Sequence, residues 1–393
     1  MSGTRAPQAY ESIRARVLDW IEQWEGRRRG AVGRTGHRFE ALALDLFRFQ
    51  FDAIEPFRDF CAARDRTPDT VRGWRDVPLV PVSAFKHRPM ATLVAVVAPE
   101  CVFETSGTSD GNPGRVTLGD RKVYDASLRA SFRHWVVPDG RPGTYRCISL
   151  VPGRGLRPRS SLGHMVETLF ERWDDGGGAW HLRPSDGATS GDEGVIDLPA
   201  LMRDLRLAAL HRVPVLLFAT SLALERTLSR WPEGVRIPLP AGSRVMDTGG
   251  PKGRTLAVGR QAQHETLCGL LGLAPWQVVG ELGMTELCSQ RYETTVRAQV
   301  RGDEEGRRAY AAPPWLRSVV LEPGSLQPAC HGEVGLIGHV DLANIDTCAF
   351  VLTADLGRIE PLKGAGDALS MAGRVPGAEW RGCGLDVEDL IRS

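Results

Sequence analysis

The sequence predicts an α/β protein with a smaller, β-rich part towards its C-terminal end. Between about residues 144 and 281, apolar runs of strand length alternate with helical runs, the pattern of an α/β sheet. One of these runs, Val213 to Ala219 (VPVLLFA), has the unbroken apolar character of a buried strand. In the last third, short strand-like runs are separated by glycine and proline instead.

Composition sets the outer bounds. The chain has 393 residues, 42% of them hydrophobic, and a formal net charge of +1. That length supports roughly two or three structural units with a sizeable core. The near-zero charge leaves no electrostatic footprint for nucleic acid. No apolar run approaches the roughly 20 residues that span a bilayer, and the N-terminus lacks the apolar core of a signal peptide. The eight cysteines, at 61, 101, 147, 268, 288, 330, 348 and 383, include no CxxC pair. Neither a zinc site nor a disulfide framework is expected, and a reduced, cytoplasmic enzyme fits best. Lysine is scarce: Lys86, Lys122, Lys252 and Lys363.

In chain order, residues 10–25 form an amphipathic helix, with Ile13, Val17, Trp20, Ile21 and Trp24 at helical spacing. An Arg/Gly-rich link (Gly26 to Gly36) leads to a second helix carrying Phe39, Leu42, Leu46, Phe47 and Phe49. Pro78 and Pro81 make Val77 to Lys86 an extended segment entering a turn. Leu93 to Val97 reads as a strand, and a helix starts near Lys122. Strand Thr144 to Val151, helix 161–172, a Gly/Asp/Ser-rich loop from Asp174 to Gly194 and helix Asp197 to Leu210 precede the strand at Val213. Then come a short strand Arg244 to Asp247, a helix from Gln261 to Leu271 and a strand Trp276 to Glu281. Strands over Val319 to Glu322, Gly335 to Val340 and Ala349 to Thr353 make up the β-rich part, and a short acidic helix lies around Asp386 to Leu390.

Four separated pieces share one use. Phe103 to Arg115 (FETSGTSDGNPGR) packs Thr105, Ser106, Thr108 and Ser109 among Gly107, Gly111 and Gly114. Small residues bring backbone N–H groups close to an oxyanion, and the hydroxyls add donors; between strand and helix this makes an anion cradle. No Gly-Lys-Ser/Thr follows, so it is not a GTPase-type P-loop. The turn Thr248-Gly249-Gly250-Pro251-Lys252 offers close approach and a lysine. The turn Gly283-Met284-Thr285-Glu286 offers a hydroxyl and a carboxylate at a strand's C-terminal end, where α/β sheets bind ligands. Asp355 supplies a carboxylate suited to two ribose hydroxyls.

These pieces, with VPVSAFK (80–86), FRFQF (47–51), PFRDFC (56–61), TADLG (353–357) and GRVPGAEWRGC (373–383), resemble the acyl-protein synthetases of the bacterial bioluminescence fatty-acid reductase system, within the adenylate-forming (acyl-CoA synthetase-like) superfamily. The resemblance runs over most of the chain. It implies the large N-terminal domain of an adenylate-forming enzyme, with an adenylation core over 1–312, a β-rich subdomain over 313–370 and a tail over 371–393. It implies ATP and Mg²⁺. Thr105, Ser106, Gly107, Thr108 and Ser109 would hold the β/γ-phosphates, Thr285 the α-phosphate and Glu286 the Mg²⁺. Gly249, Gly250, Gly283 and Met284 would frame the adenine and acyl pocket, and Asp355 would bind the ribose with Arg374 nearby.

The sequence departs from the superfamily pattern twice. Ser109-Asp110 replaces the usual second threonine. The chain also stops before the domain that usually carries a catalytic lysine, leaving Lys252 the best placed and Lys86 second. Cys383 stands where the resembled family has an acyl-accepting cysteine. A thiolate attacks an acyl-adenylate readily, Arg381 favours the thiolate, and Gly382 and Gly384 allow movement. The acyl group would then pass to a partner such as an acyl reductase. Two alternatives use the same motifs: a free-standing enzyme loading a carrier protein or coenzyme A, and a non-catalytic scaffold on a degenerate adenylation fold.

Overall fold

A computed structural model describes residues 5–26, 35–105, 113–184, 194–249, 259–302, 308–362 and 366–375. The chain divides into two compact units. One comprises Met1–Ser131, Met284–Gln290 and Ala311–Ser393; the other comprises Phe132–Gly283 and Arg291–Tyr310.

The second unit is the α/β sheet. Its strands lie in the order Arg291–Glu293, Val278–Leu282, Arg244–Thr248, Val215–Thr220, Arg146–Ser149 and Ala179–Trp180. All neighbours are parallel except the first pair. Helices Leu198–Leu210 and Arg260–Leu271 cover one face, burying Leu201, Leu205, Leu267 and Leu271 with Ile148, Leu217, Val245 and Val278. An aromatic cluster of Phe132, Phe218, Trp173 and Tyr292 packs elsewhere in this unit. Burial on both sides explains the unbroken apolar run at 215–219.

The first unit holds the helices Arg5–Gly26, Thr35–Ala53 and Glu55–Ala62. Its sheet is antiparallel, in the order Leu316–Leu321, Gly335–Asp341, Phe350–Leu362 and Gly366–Arg374, with Val80–Pro81 added in parallel. Ile13, Val17, Trp20 and Ile21 are buried as the helical spacing requires. Trp24 meets Trp315 edge-on, and Phe47 and Phe57 pack on Phe350.

Several elements differ from expectation. Leu93–Val97 is a short α-helix capped by Thr92, whose hydroxyl accepts from the Ala95 amide. Leu93, Val94 and Val97 are each more than 70% exposed, so no sheet covers the run; five apolar residues alone do not separate helix from strand. The glycine-rich stretch instead links strands Cys101–Glu104 and Arg115–Leu118, a hairpin rather than a strand–turn–helix. The Asp174–Gly194 loop contains strand Ala179–Trp180 and the start of a two-strand ribbon, Leu182–Arg183 with Val195–Ile196. Trp276 and Gln277 belong to a 3₁₀ turn, Pro275–Gln277, because Pro275 starts one more readily than a strand. Helices Ser221–Leu228 and Thr295–Arg301 and strand Gly366–Arg374 add to the sequence reading. The acidic helix expected around 386–390 lies outside the described residues. No helix among the described residues is long and apolar enough to cross a membrane.

Candidate active site

In the first unit, the segment Met284–Gln290 follows the end of strand Val278–Leu282. Leu287 N donates to Met284 O at 3.1 Å, closing the turn that carries Thr285 and the buried Glu286. The loop after strand Gly335–Asp341 grips this turn. Asn344 donates from Nδ2 to Glu286 O at 2.7 Å and accepts the Cys288 amide on Oδ1 at 2.7 Å. Asp341 accepts the Ser289 amide and hydroxyl, each at 2.8 Å, and the Ala343 amide at 3.0 Å. Burial pushes the Asp341 carboxyl up to about 6 against those hydrogen bonds.

Asp355 lies on strand Phe350–Leu362, opposite Arg374 in register, with Oδ1 and Nε 3.5 Å apart. Its amide donates to Thr353 Oγ1 at 3.1 Å, and that hydroxyl donates to Ile337 O at 2.8 Å. Burial raises the Asp355 carboxyl, and Arg374 pulls it back. The Thr353 link therefore anchors the Asp355 backbone to the neighbouring strand.

Thr105 forms the neck of the glycine-rich hairpin. Its amide donates to Gly114 O at 2.9 Å, and its hydroxyl accepts the Gly114 amide at 2.8 Å. Glu104 and Arg115 pair at 3.2 Å beside it. Ser106, Gly107, Thr108 and Ser109 lie outside the described residues, as do Gly250, Lys252 and Cys383.

In the second unit, Gly249 takes φ +79°, a left-handed conformation suited to glycine. Its carbonyl accepts from Ser221 Oγ at 2.8 Å. Beneath it lies a network that sequence reasoning missed. Asp247, fully buried, faces Ser221 Oγ at 2.7 Å, Arg260 Nε at 2.7 Å and His264 Nε2 at 2.8 Å. Burial alone would raise the Asp247 carboxyl; His264, Arg260 and Ser221 outweigh it and hold it below the usual range. Arg260 also donates to the Tyr310 hydroxyl, and Thr248 Oγ1 to Glu281. Gly280 N donates to Glu293 Oε2 at 2.8 Å, which Arg308 pairs at 2.9 Å. The available signal was a charged residue ending each apolar strand, Asp247 in RVMD and Glu281 in WQVVGE.

Among the described cysteines, burial pushes the thiols of Cys61, Cys147, Cys268, Cys288 and Cys348 up, the last to about 12. Such thiols are poor nucleophiles. Cys330 is exposed.

The fold is that of the adenylate-forming enzymes. A crystal structure of 2-hydroxyisobutyryl-CoA ligase in an open conformation, with 2-HIB-AMP and CoA, matches at TM-score 0.60 and 13% identity, covering 89% of this chain and 75% of that one. The same ligase in its thioesterification state matches at TM-score 0.59 and 13% identity, covering 90% and 73%. Within that class, the chain is similar to the acyl-protein synthetases: the family model "Acyl-protein synthetase, LuxE" matches residues 229–391. The long-chain-fatty-acid–luciferin-component ligase of Aliivibrio fischeri is 29% identical over 361 residues, 90% of this chain and 88% of that one. The ligase of that name from Vibrio harveyi is 22% identical over 363 residues, 89% and 87%. These matches agree with the resemblance carried by the motifs.

Proposed function

We propose that this chain activates a long-chain fatty acid with ATP and passes the acyl group through Cys383 to a partner protein. The carboxylate attacks the α-phosphorus of ATP, giving acyl-adenylate and releasing pyrophosphate. The Cys383 thiolate then attacks the acyl carbon, AMP leaves, and a thioester remains for a partner such as an acyl reductase. The observation carrying this reading is the Thr285–Glu286 pair on a turn with a fixed backbone, in a chain with the adenylate-forming fold.

Thr285 would orient the α-phosphate, and Asp355 the ribose with Arg374 beside it. The 105–109 hydroxyls and amides would hold the departing phosphates, Gly249, Gly250, Gly283 and Met284 would line the adenine and acyl pocket, and Lys252 would offset charge on the carboxylate. Among the described residues, no cluster of three or more His, Cys, Asp or Glu side chains could hold a metal. Mg²⁺ travelling with ATP needs only one or two carboxylates besides phosphate oxygens, so Glu286 fits as its protein ligand. When bound, Mg²⁺ would neutralise phosphate charge. We place the adenylation core over 1–312, its β-rich part over 313–370 and the acyl-accepting tail over 371–393. A cytoplasmic setting would keep Cys383 reduced.

Intact-protein mass measurement after incubation with Mg²⁺, ATP and fatty acids of several lengths tests this. The expected result is a hydroxylamine-labile acyl adduct, lost in Cys383→Ser and kept in Cys330→Ser. An adduct surviving Cys383→Ser would remove that cysteine from the mechanism. AMP release without any adduct would move the acceptor to another protein.

A further inference from the structure

We propose that Asn344 is a positioning residue for the Thr285–Glu286 turn, a proposal that rests on the adenylation reading above. Asn344 is fully buried, and its side-chain amide grips the backbone on both sides of Leu287. Nδ2 donates to the carbonyl of Glu286 at 2.7 Å, and Oδ1 accepts the amide of Cys288 at 2.7 Å. A carbonyl and the amide two residues later are the groups a strand presents to one residue of a parallel neighbour. Asn344 thus does with one side chain what a paired strand would do, where the chain has left the strand. Turning the peptide planes around 286–288 would break both bonds, so the direction of Glu286 and of Thr285 before it is set from behind.

Asn344 is itself held. Its second Nδ2 hydrogen goes to Cys348 O at 3.1 Å, and its own carbonyl accepts from Gln50 Nε2 at 2.6 Å. Gln50, also fully buried, reaches Thr347 O at 2.7 Å as well and accepts the Ala349 amide at 3.0 Å. The grip therefore runs from helix Thr35–Ala53 through the 342–348 loop to the turn, and all of it lies in one unit. No group in this relay is a charged ligand for substrate. Its contribution is direction, which matters because a misplacement of about 1 Å at a reacting centre can cost about 10²-fold in rate.

Asn344→Asp tests the idea, since it keeps the acceptor for Cys288 N and sets a carboxylate oxygen against Glu286 O. Asn344→Ala, which leaves room for water, is the milder companion. Three quantities are read on full-length protein: fatty-acid-dependent exchange of pyrophosphate into ATP, binding of Mn²⁺ with ATP by electron paramagnetic titration, and hydrogen exchange of peptides covering 284–290. Expected for Asn344→Asp are a roughly 10- to 100-fold lower exchange kcat with the KM for fatty acid held within about threefold, about tenfold weaker Mn²⁺ binding, and loss of protection confined to 284–290. Asn344→Ala should fall between this and wild type. A folded Asn344→Asp with wild-type kcat and Mn²⁺ binding would overturn the positioning role and leave the adenylation reading standing. Both variants failing to fold would make Asn344 a folding residue only and equally overturn it. A wild-type protein with no exchange for any fatty acid would remove both.

Discussion

Two turns in this molecule are each held from behind by one fully buried aspartate, and the two aspartates are compensated in opposite ways. At Gly249, Asp247 faces a guanidinium and an imidazole, which hold its carboxyl below the usual range despite burial. At Met284–Gln290, Asp341 faces two backbone amides and one hydroxyl, and burial pushes it up to about 6. A buried charge can be offset by opposite charge or by oriented dipoles, and dipoles without net charge leave a larger residual cost. The first turn is therefore the more sensitive to losing a partner, and the second the more sensitive to pH.

The largest expected effect is at Asp247. Asp247→Leu leaves Arg260 and His264 without their buried carboxylate, at a cost of about 3 kcal/mol; Arg260 keeps a third of its surface in water, which limits the penalty. Urea unfolding would measure it, and a loss under 1 kcal/mol would erase the contrast between the turns.

The pH prediction comes next. The Asp341 carboxyl is raised from the usual 3.8 to about 6, so its protonated form favours the folded turn. Its contribution is fully present below pH 4 and is lost as pH rises through about 6, on the order of 3 kcal/mol in all. Asp247, being depressed, does the reverse: its contribution is present above its unfolded value and lost as pH falls through the folded one. Hydrogen exchange of 284–290, corrected for intrinsic rates, should therefore lose protection between pH 4 and 7. In Asp341→Asn that slope should vanish.

The smallest effect sharpens the packing around the Asp247 network. A Cβ at Gly280 would lie 2.6 Å from Arg260 Nη2 and 2.9 Å from both Glu293 Cδ and the Tyr310 hydroxyl. Gly280→Ala should cost roughly 1–3 kcal/mol through overpacking, seen as a lowered thermal midpoint.

The sequence disclosed the two turns but not what holds them. Local signals were enough for the parallel sheet, because Val215–Ala219 and the helices at 198–210 and 260–271 carry their periodicity in a single run. The places of Thr285 and Glu286 just after a strand, and of Asp355 on one, follow from short local motifs. Asn344 and Gln50 were not, since their partners lie 56 and 294 residues away along the chain. Leu93–Val97 misled for a related reason: its solvent-facing side chains are decided by what does not pack on them. The hairpin at 101–118 was missed because Arg115–Leu118 is too short to show alternation before the helix at Lys122.

We propose fatty-acid-dependent adenylation at the Thr285–Glu286 turn. It is tested most directly by pyrophosphate exchange into ATP, with Mg²⁺ and a series of fatty acids, for wild type and Glu286→Gln. Exchange should require the fatty acid and fall about 10²- to 10³-fold in Glu286→Gln with ATP binding retained. Binding of ATP by wild type without exchange for any acid, or exchange undiminished in Glu286→Gln, would contradict it.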